Sequence, residues 1–158
     1  MVSLEIIYDD ETYASSYMLI EWDRFDVDMY DHLNNTVYPV LFDSIVNAYL
    51  IKHCGLDPFN KGDSKQIGVI VSAYCDYFAS VSFPDLLDLG LRVVKLGSSS
   101  VTYEIGVFRR NDGDVKVVGG YTHVFVQRAS MRPTKDGMDL GIRRGLEKLV
   151  ILSGSPKL

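Results

Sequence analysis

The stretch YPVLFDSIVNAYLIKH, Tyr38 to His53, decides the fold. Its apolar residues recur three and four positions apart, which is the spacing of an α-helix. They cover so much of the helix circumference that the helix cannot simply lie on a protein surface, so we expect other elements to wrap around it. The following segment, CGLDPFNKGD, ends the helix with Gly55 and Pro58.

Almost everything after this helix has the pattern of β-strands. Four segments rich in β-branched and aromatic residues, separated by short turn sequences, cover 68–78, 86–96, 100–110 and 115–128. Such short connections make neighbouring strands antiparallel. A further strand is predicted at 16–25, and a C-terminal helix at about 137–152. The order of elements predicts an α+β fold with an antiparallel, curved sheet wrapped around one long central helix.

Length and charge limit the classes of function. The 158 residues suit a single domain, 1–158, and the net charge of -5 argues against a nucleic-acid or anionic membrane partner. No apolar run is long enough to cross a bilayer, and the acidic N-terminal segment is unlike a signal peptide, so we expect a cytoplasmic protein. The alternative is a peroxisomal location, because the terminal Pro-Lys-Leu approaches the S-K-L address. Cys54 and Cys75 are expected to be free thiols.

A cluster of acidic residues, DVDMYDHLNN, precedes the helix at Asp26 to Asn35. Its carboxylates and its histidine resemble metal ligands, but the spacing of a calcium loop fails, because Asp31 stands where glycine is needed and Val37 where glutamate is needed. The other histidines lie far off in sequence, which argues against zinc. We expect no metal at this site.

Two interpretations of the cluster remain open on the residues alone. At the start of a helix, free backbone N–H groups and the positive end of the dipole favour negative charge. An aspartate there is placed to attack a carbonyl, or to activate water for the attack, while the N–H groups hold the developing oxyanion. The alternative is that the aspartates only form the turn and cap the helix. Serine or cysteine chemistry has no supporting motif.

The sequence DVDMYDHLNNTVY, followed by LFDSIVNAYL and later by LGSSSVTYEIGVF, resembles the signature of the hot-dog acyl-CoA thioesterases of the 4-hydroxybenzoyl-CoA thioesterase type. The resemblance covers about 15–132. It implies a five-stranded hot-dog domain that hydrolyses an acyl-CoA thioester to free acid and CoA. It also implies that no cofactor is needed beyond the CoA of the substrate, that the protein works in lipid metabolism, and that it forms a homodimer or a homotetramer with active sites at the interface.

The resemblance also implies roles for individual residues of the cluster. Asp28 matches the catalytic aspartate, acting as nucleophile or as general base. Asp26 matches an aspartate that holds the loop. The backbone N–H of Asn35 matches the oxyanion donor, and His32 and Asn34 are placed to position the thioester.

Further residues are expected to contact the substrate. The candidates for coenzyme A and substrate binding are Lys95, Ser99, Arg128, Arg132 and Tyr38. The candidates for the walls of the acyl site are Tyr74, Tyr77 and Phe78.

Two other functions fit the same resemblance. One is a hot-dog hydratase or dehydratase, for which His32 is the candidate base. The other is an acyl-CoA binding protein without activity, suggested by Asp31, which stands where the family usually has glycine. Glycine suits a positive φ better than aspartate does, so the loop is expected to be reshaped or strained.

Overall fold

The computed structural model describes residues 18–20, 26–57 and 66–150. The elements in chain order are β1 (Met18–Ile20), α1 (Val37–Cys54), β2 (Gln66–Tyr77), β3 (Leu87–Leu96), β4 (Ser100–Arg109), β5 (Val115–Gln127) and α2 (Leu140–Glu147). The predicted central helix and the four later strands are confirmed to within two residues at each end. Most of the predicted strand at 16–25 lies outside the described residues, and α2 is shorter than the predicted 137–152.

The sheet is antiparallel throughout, with the strand order β1-β3-β4-β5-β2. Four long strands form most of it, and β1 adds three residues at one edge. The strand that follows the helix in sequence, β2, pairs with β5 and therefore lies at the other edge. The predicted α+β fold, with a helix against a curved antiparallel sheet, is confirmed.

The helix α1 is buried on most of its circumference, as its sequence predicts. Its buried residues are Tyr38, Leu41, Phe42, Ile45, Val46, Tyr49, Leu50 and Cys54. The helix approaches β5 closely, because a Cβ at Gly119 would collide with the ring of Phe42. It ends at Gly55, whose φ of 69° is left-handed and whose N–H donates to the carbonyl of Leu50. Glycine adopts this conformation without a steric cost.

Both cysteines are free, as expected, with Cys54 buried and Cys75 partly buried. Among the residues that the structure describes, no helix is both long enough and apolar enough to cross a membrane.

The topology brings two groups of segments to opposite ends of the sheet. At one end, Tyr77 pairs with Val117, and the loop before α1 is bound to the segment that follows β2. At the other end, Gln66 pairs with Gln127 near the turn between β3 and β4. The distance from Val117 to Gln127 along β5 is roughly 33 Å at the rise of an extended strand. We call the end at Val117 the loop end and the end at Gln127 the far end.

Candidate active site

The acidic cluster forms a closed hairpin-like loop in front of α1. The N–H of Asn34 donates to the carbonyl of Asp26 at 2.8 Å, and the N–H of Asp28 donates to the carbonyl of His32 at 2.7 Å. The N–H of Leu33 donates to the carbonyl of Val81 at 2.9 Å, which fixes the loop to the segment after β2. Backbone hydrogen bonds therefore give the loop a defined shape.

The carboxylate of Asp28 is held by the backbone of its own loop. Its Oδ1 atom accepts hydrogen bonds from the N–H of Tyr30 at 2.8 Å and from the N–H of His32 at 3.1 Å. Among the described residues, no donor pairs with the Oδ2 atom. The Oδ1 atom thus sets the orientation of the carboxylate, and the Oδ2 atom remains open to a bound molecule.

The loop closes with Asp31 at a φ of 62°, in the left-handed region. This is the backbone conformation that glycine adopts most easily, and aspartate is among the few other residues that populate it. Asp31 is exposed, and its N–H donates to the carbonyl of Asp28 at 3.2 Å. Asp31 thus takes the positive φ that the sequence identified as less favourable for aspartate than for glycine, and the turn still closes.

Asn34 and Asn35 have different roles at the start of α1. The Oδ1 atom of Asn34 accepts from the N–H of Thr36 at 3.0 Å and from its hydroxyl at 2.8 Å, and the carbonyl of Asn34 accepts from the N–H of Val37 at 2.9 Å. Asn34 thus supports the helix start. No acceptor among the described residues pairs with the N–H of Asn35, so this N–H is available to an anionic ligand at the positive end of the helix dipole.

A cavity of about 370 Å³, which we call the reaction pocket, opens beside the loop. It is lined by Asp28, His32, Leu33, Asn35, Tyr38, Tyr77, Phe78, Ala79 and Ser80. Four of the residues singled out in the loop and helix, and two of the three proposed acyl walls, therefore meet in one place. Asp26 and Asn34 lie at the base of the loop instead and do not line the pocket.

Two tyrosines form the wall of the reaction pocket that faces the sheet. Tyr38 is buried, and its ring meets that of Tyr77 edge-on with centroids 5.5 Å apart. Burial, with smaller effects from Cys75 and from the negative charge of Asp28, raises the pKa of Tyr38 to about 12. Burial likewise raises the pKa of Tyr77 to about 12. Both phenols are therefore protonated and neutral at physiological pH.

The other candidates for substrate contacts do not reach the reaction pocket of the same chain. Lys95, Ser99, Arg128 and Arg132 lie at the far end of the sheet. The carbonyl of Ser99 accepts from the N–H of Phe125 at 2.7 Å, and that of Arg132 accepts from the N–H of Gln127 at 2.9 Å. Tyr74 lines a neighbouring cavity. The sequence placed the basic residues at sheet ends, but it did not predict which end.

The sequence did not predict two groups of residues. One is the pair Ala79 and Ser80, which complete the reaction pocket beside the predicted Phe78 and have no motif of their own. The other is a buried polar cluster around His123. A signal for it exists, because Tyr121, His123 and Phe125 alternate along β5 and therefore share the face of the sheet that is packed against α1. Within the described ranges, no three His, Cys, Asp or Glu side chains are close enough to hold a metal ion.

A fixed carboxylate beside an open helix start is the arrangement of a hydrolase that acts on an activated carbonyl. The model of the thioesterase superfamily matches residues 30–116, more than half of the chain, and the chain belongs to that superfamily. It is accordingly a thioester hydrolase with the hot-dog fold. The matched range begins two residues after Asp28, so the role of this residue rests on the geometry and on the sequence motif.

Solved structures share the fold of this chain. The PA5185 protein from Pseudomonas aeruginosa strain PAO1 is 39% identical over 89% of this chain and 94% of that chain, with a TM-score of 0.81. A thioesterase from Thermus thermophilus, complexed with coenzyme A and Zn, is 22% identical over 84% of this chain and 92% of that one, with a TM-score of 0.68.

A third solved structure shares the fold at still lower identity. The protein SAV2348 from Staphylococcus aureus, in complex with CoA, is 12% identical over 89% of both chains, with a TM-score of 0.77. At such identities the likeness to the Thermus and Staphylococcus proteins concerns the fold alone. No curated protein sequence matches the chain.

Proposed function

We propose that the protein hydrolyses acyl-CoA thioesters to a free acid and CoA, and that Asp28 carries the reaction. The observation that carries the proposal is the arrangement of the Asp28 carboxylate, with one oxygen fixed by two N–H groups and the other unpaired among the described residues. The same pocket contains Asn35, whose backbone N–H is open at the helix start. These are the two groups that thioester hydrolysis needs.

The Oδ2 atom of Asp28 either attacks the thioester carbonyl carbon or takes a proton from the water that attacks it. In both routes, negative charge develops on the carbonyl oxygen, and the N–H of Asn35 donates to it. The C–S bond then breaks and the thiolate of CoA leaves. In the general-base route, the proton that Asp28 took from the attacking water passes to the thiolate. Direct attack adds one step, because water must hydrolyse the acyl anhydride formed on Asp28, which releases the acid, restores the carboxylate and supplies the proton that the thiolate takes up.

The remaining residues of the loop keep these two groups in place. The side chain of Asn34 supports the turn into α1 by accepting from Thr36. The backbone of His32 holds Asp28 twice, because its N–H donates to the carboxylate and its carbonyl accepts from the N–H of Asp28. Asp26 closes the loop through its carbonyl. A displacement of about 1 Å at a reacting group is costly, so we assign these three residues to positioning.

Coenzyme A is the thiol carrier that we propose. The Thermus and Staphylococcus proteins, which share the fold, are both described with coenzyme A bound. A reaction pocket of about 370 Å³ is within the usual range for small-molecule sites. It holds the thioester and its surroundings but not the whole nucleotide, so the phosphates must lie on the outer surface.

Thiol release from a panel of short, long and aromatic acyl-CoAs tests this function directly. We expect turnover with at least one member of the panel, at rates well above the spontaneous hydrolysis of the thioester. Binding of acyl-CoA without thiol release would support the non-catalytic binding protein. Hydration of an enoyl-CoA without thiol release would support the hydratase.

We also propose that the active unit is a homodimer in which two copies of β2 pair with each other. The stretch from Ile67 to Cys75 contains no charged residue, although charges usually protect the edge of a sheet from pairing. Its exposed side chains include Ile70, Val71 and Tyr74, which are 48%, 59% and 40% exposed. A second copy would cover these side chains and pair with the backbone N–H and C=O groups along the open edge of β2.

Antiparallel pairing of two β2 strands has a consequence for coenzyme A. It places the far end of one chain beside the loop end of the other, so that the partner's Arg132 approaches the mouth of the reaction pocket. Arg132 is exposed, which leaves its guanidinium accessible to a phosphate. Arg128 is less suited, because it is partly buried in a cavity that it shares with Asp43.

Replacing Val71 by lysine should convert the dimer to a monomer of 17.8 kDa. The reason is that the interface would bury the positive charges of the two new lysines between the two β2 strands. Val94 on the inner strand β3 is a matched control, since it is 48% exposed and lies away from the β2 edge. We expect Val94→Lys to remain a dimer. Sedimentation equilibrium measures both masses, and a dimeric Val71→Lys protein would contradict the proposed interface.

A further inference from the structure

Three cavities follow one another along α1, between the helix and the edge strand β2. The reaction pocket at Asp28 is the first. The second, the middle cavity, has a volume of about 280 Å³ and is lined by Pro39, Phe42, Ile70, Ala73, Tyr74, Cys75, Gly120 and Tyr121. The third, the far cavity, has a volume of about 230 Å³ and is lined by Asp43, Asn47, Leu50, Leu56, Ile67, Gly68, Ile70, His123 and Arg128.

The middle cavity is apolar and has a floor of small side chains. Ala73 pairs with Tyr121 and Cys75 pairs with Gly119, so these two side chains lie on the face of the sheet turned to α1. Gly119 has no side chain to fill the space next to Phe42. Ile70 lines both this cavity and the far one, so the two adjoin along β2. An alkyl chain that extends from the reaction pocket along the helix would therefore meet mainly apolar side chains before it reaches the far cavity.

The far cavity, in contrast, ends in buried polar groups. His123 is 4% exposed, and the ring of Tyr121, at the border with the middle cavity, lies 4.9 Å from its ring between centroids. Within the described ranges, the Nδ1 atom of His123 and the Nε atom of Arg128 are buried without a hydrogen-bond partner, and the hydroxyl of Tyr121 has only the carboxylate of Asp43 beside it. A buried polar group without a partner costs about 1–3 kcal/mol, so a water molecule or a polar group of a ligand is expected to bind these atoms.

The charges around the far cavity cancel. Arg128 is positive and Asp43, across the cavity on α1, is negative and accepts from the amide of Asn47 at 2.8 Å. Burial lowers the pKa of His123 to about 4, so the imidazole is neutral at physiological pH. Burial and the nearby carboxylate of Asp43 raise the pKa of Tyr121, so its phenol keeps its proton. A cavity without net charge fits a neutral hydrogen-bonding group better than a carboxylate or a phosphate.

We propose that the acyl group of the substrate carries a hydroxyl group at the end remote from the thioester, and that Tyr121, His123 and Arg128 bind this hydroxyl. The proposal rests on the acyl-CoA thioesterase function proposed above. A hydroxyl both donates and accepts, which matches a phenol and an imidazole that can each do the same and a guanidinium that donates. Asn35, just before α1, and Asn47 on α1 are twelve positions apart, roughly 18 Å at the rise of a helix, so the acyl chain is of medium to long length.

Saturated acyl-CoAs compared with their ω-hydroxy counterparts, over a series of chain lengths, test the proposal. We expect kcat/KM to favour the ω-hydroxy substrate by about tenfold at the best length, the effect of one buried hydrogen-bonding group. Tyr121→Phe removes a hydroxyl and keeps the ring, so it should bring the ratio close to one. Tyr103→Phe is the matched control, because Tyr103 is buried as well and loses the same hydroxyl, but it lines none of the three cavities. It should keep the tenfold ratio.

Three results would overturn the proposal: equal kcat/KM for the two substrate series, a preference for a terminal carboxylate over a hydroxyl, or loss of the ratio in Tyr103→Phe as well. Calorimetric binding to Asp28→Asn provides a readout that needs no turnover. There we expect the ω-hydroxy acyl-CoA to bind about tenfold more tightly than the plain one. Absence of hydrolysis with every thioester would refute the thioesterase function, while equal binding of the two ligands would refute the hydroxyl site alone.

Discussion

Asp28→Asn should lower kcat for acyl-CoA hydrolysis by about 10²–10⁴-fold, the usual contribution of a positioned base or nucleophile. The amide keeps an oxygen in the place of Oδ1, so it still accepts from the N–H groups of Tyr30 and His32 and the loop keeps its shape. What the variant loses is the negative charge and the basicity of the second oxygen. Steady-state thiol release measures the effect, and thermal unfolding confirms that the fold is retained.

Asp31→Asn is a matched control for this variant. It makes the same chemical change three residues further along the loop, at an exposed position, and asparagine tolerates the φ of 62° as aspartate does. We expect its kcat to stay close to that of the wild type. If Asp28→Asn and Asp31→Asn were equally active, Asp28 would have no catalytic role, and a loss in both would indicate a general effect of loop charge.

The sequence predicted the elements that depend on local patterns. The apolar spacing from Tyr38 to His53 predicts a helix buried on most sides, and eight residues of α1 are buried in the structure. The strands β2 to β5 were predicted in the same way, because their alternation and turns are local as well. The position of Asp28 in front of the helix follows from sequence order alone.

The sequence could not predict features that depend on tertiary pairing. The hydrogen bond from Leu33 to Val81, in the segment after β2, decides that the loop of Asp28 lies at the end of the sheet opposite Arg128 and Arg132. The different roles of Asn34 and Asn35 depend on how the loop closes, because the side-chain oxygen of Asn34 is taken by Thr36. The residues that line the far cavity come from a helix, two strands and a turn, and no local sequence pattern predicts that these elements meet.

Loss of the backbone N–H at position 35 should be the second large effect on catalysis. Asn35→Pro removes this N–H, and proline is well tolerated at the second position of a turn such as the one that the bond from the N–H of Val37 to the carbonyl of Asn34 closes. We expect kcat to fall by about 10²–10³-fold, as for the loss of one oxyanion donor, with a smaller change in KM. The reason is that the N–H of Asn35 is bound to no acceptor among the described residues and is therefore free to stabilise the transition state.

Asn35→Ala separates this effect from that of the side chain. Alanine keeps the N–H and removes only an exposed amide, so its kcat should stay close to that of the wild type. Far-UV circular dichroism shows whether the proline variant retains α1. If it does not, replacing the amide at position 35 by a backbone ester removes the same donor without a ring. Equal kcat for a folded Asn35→Pro protein and Asn35→Ala would mean that another group holds the oxyanion, and the carboxylate of Asp28 would then have to act without the helix start.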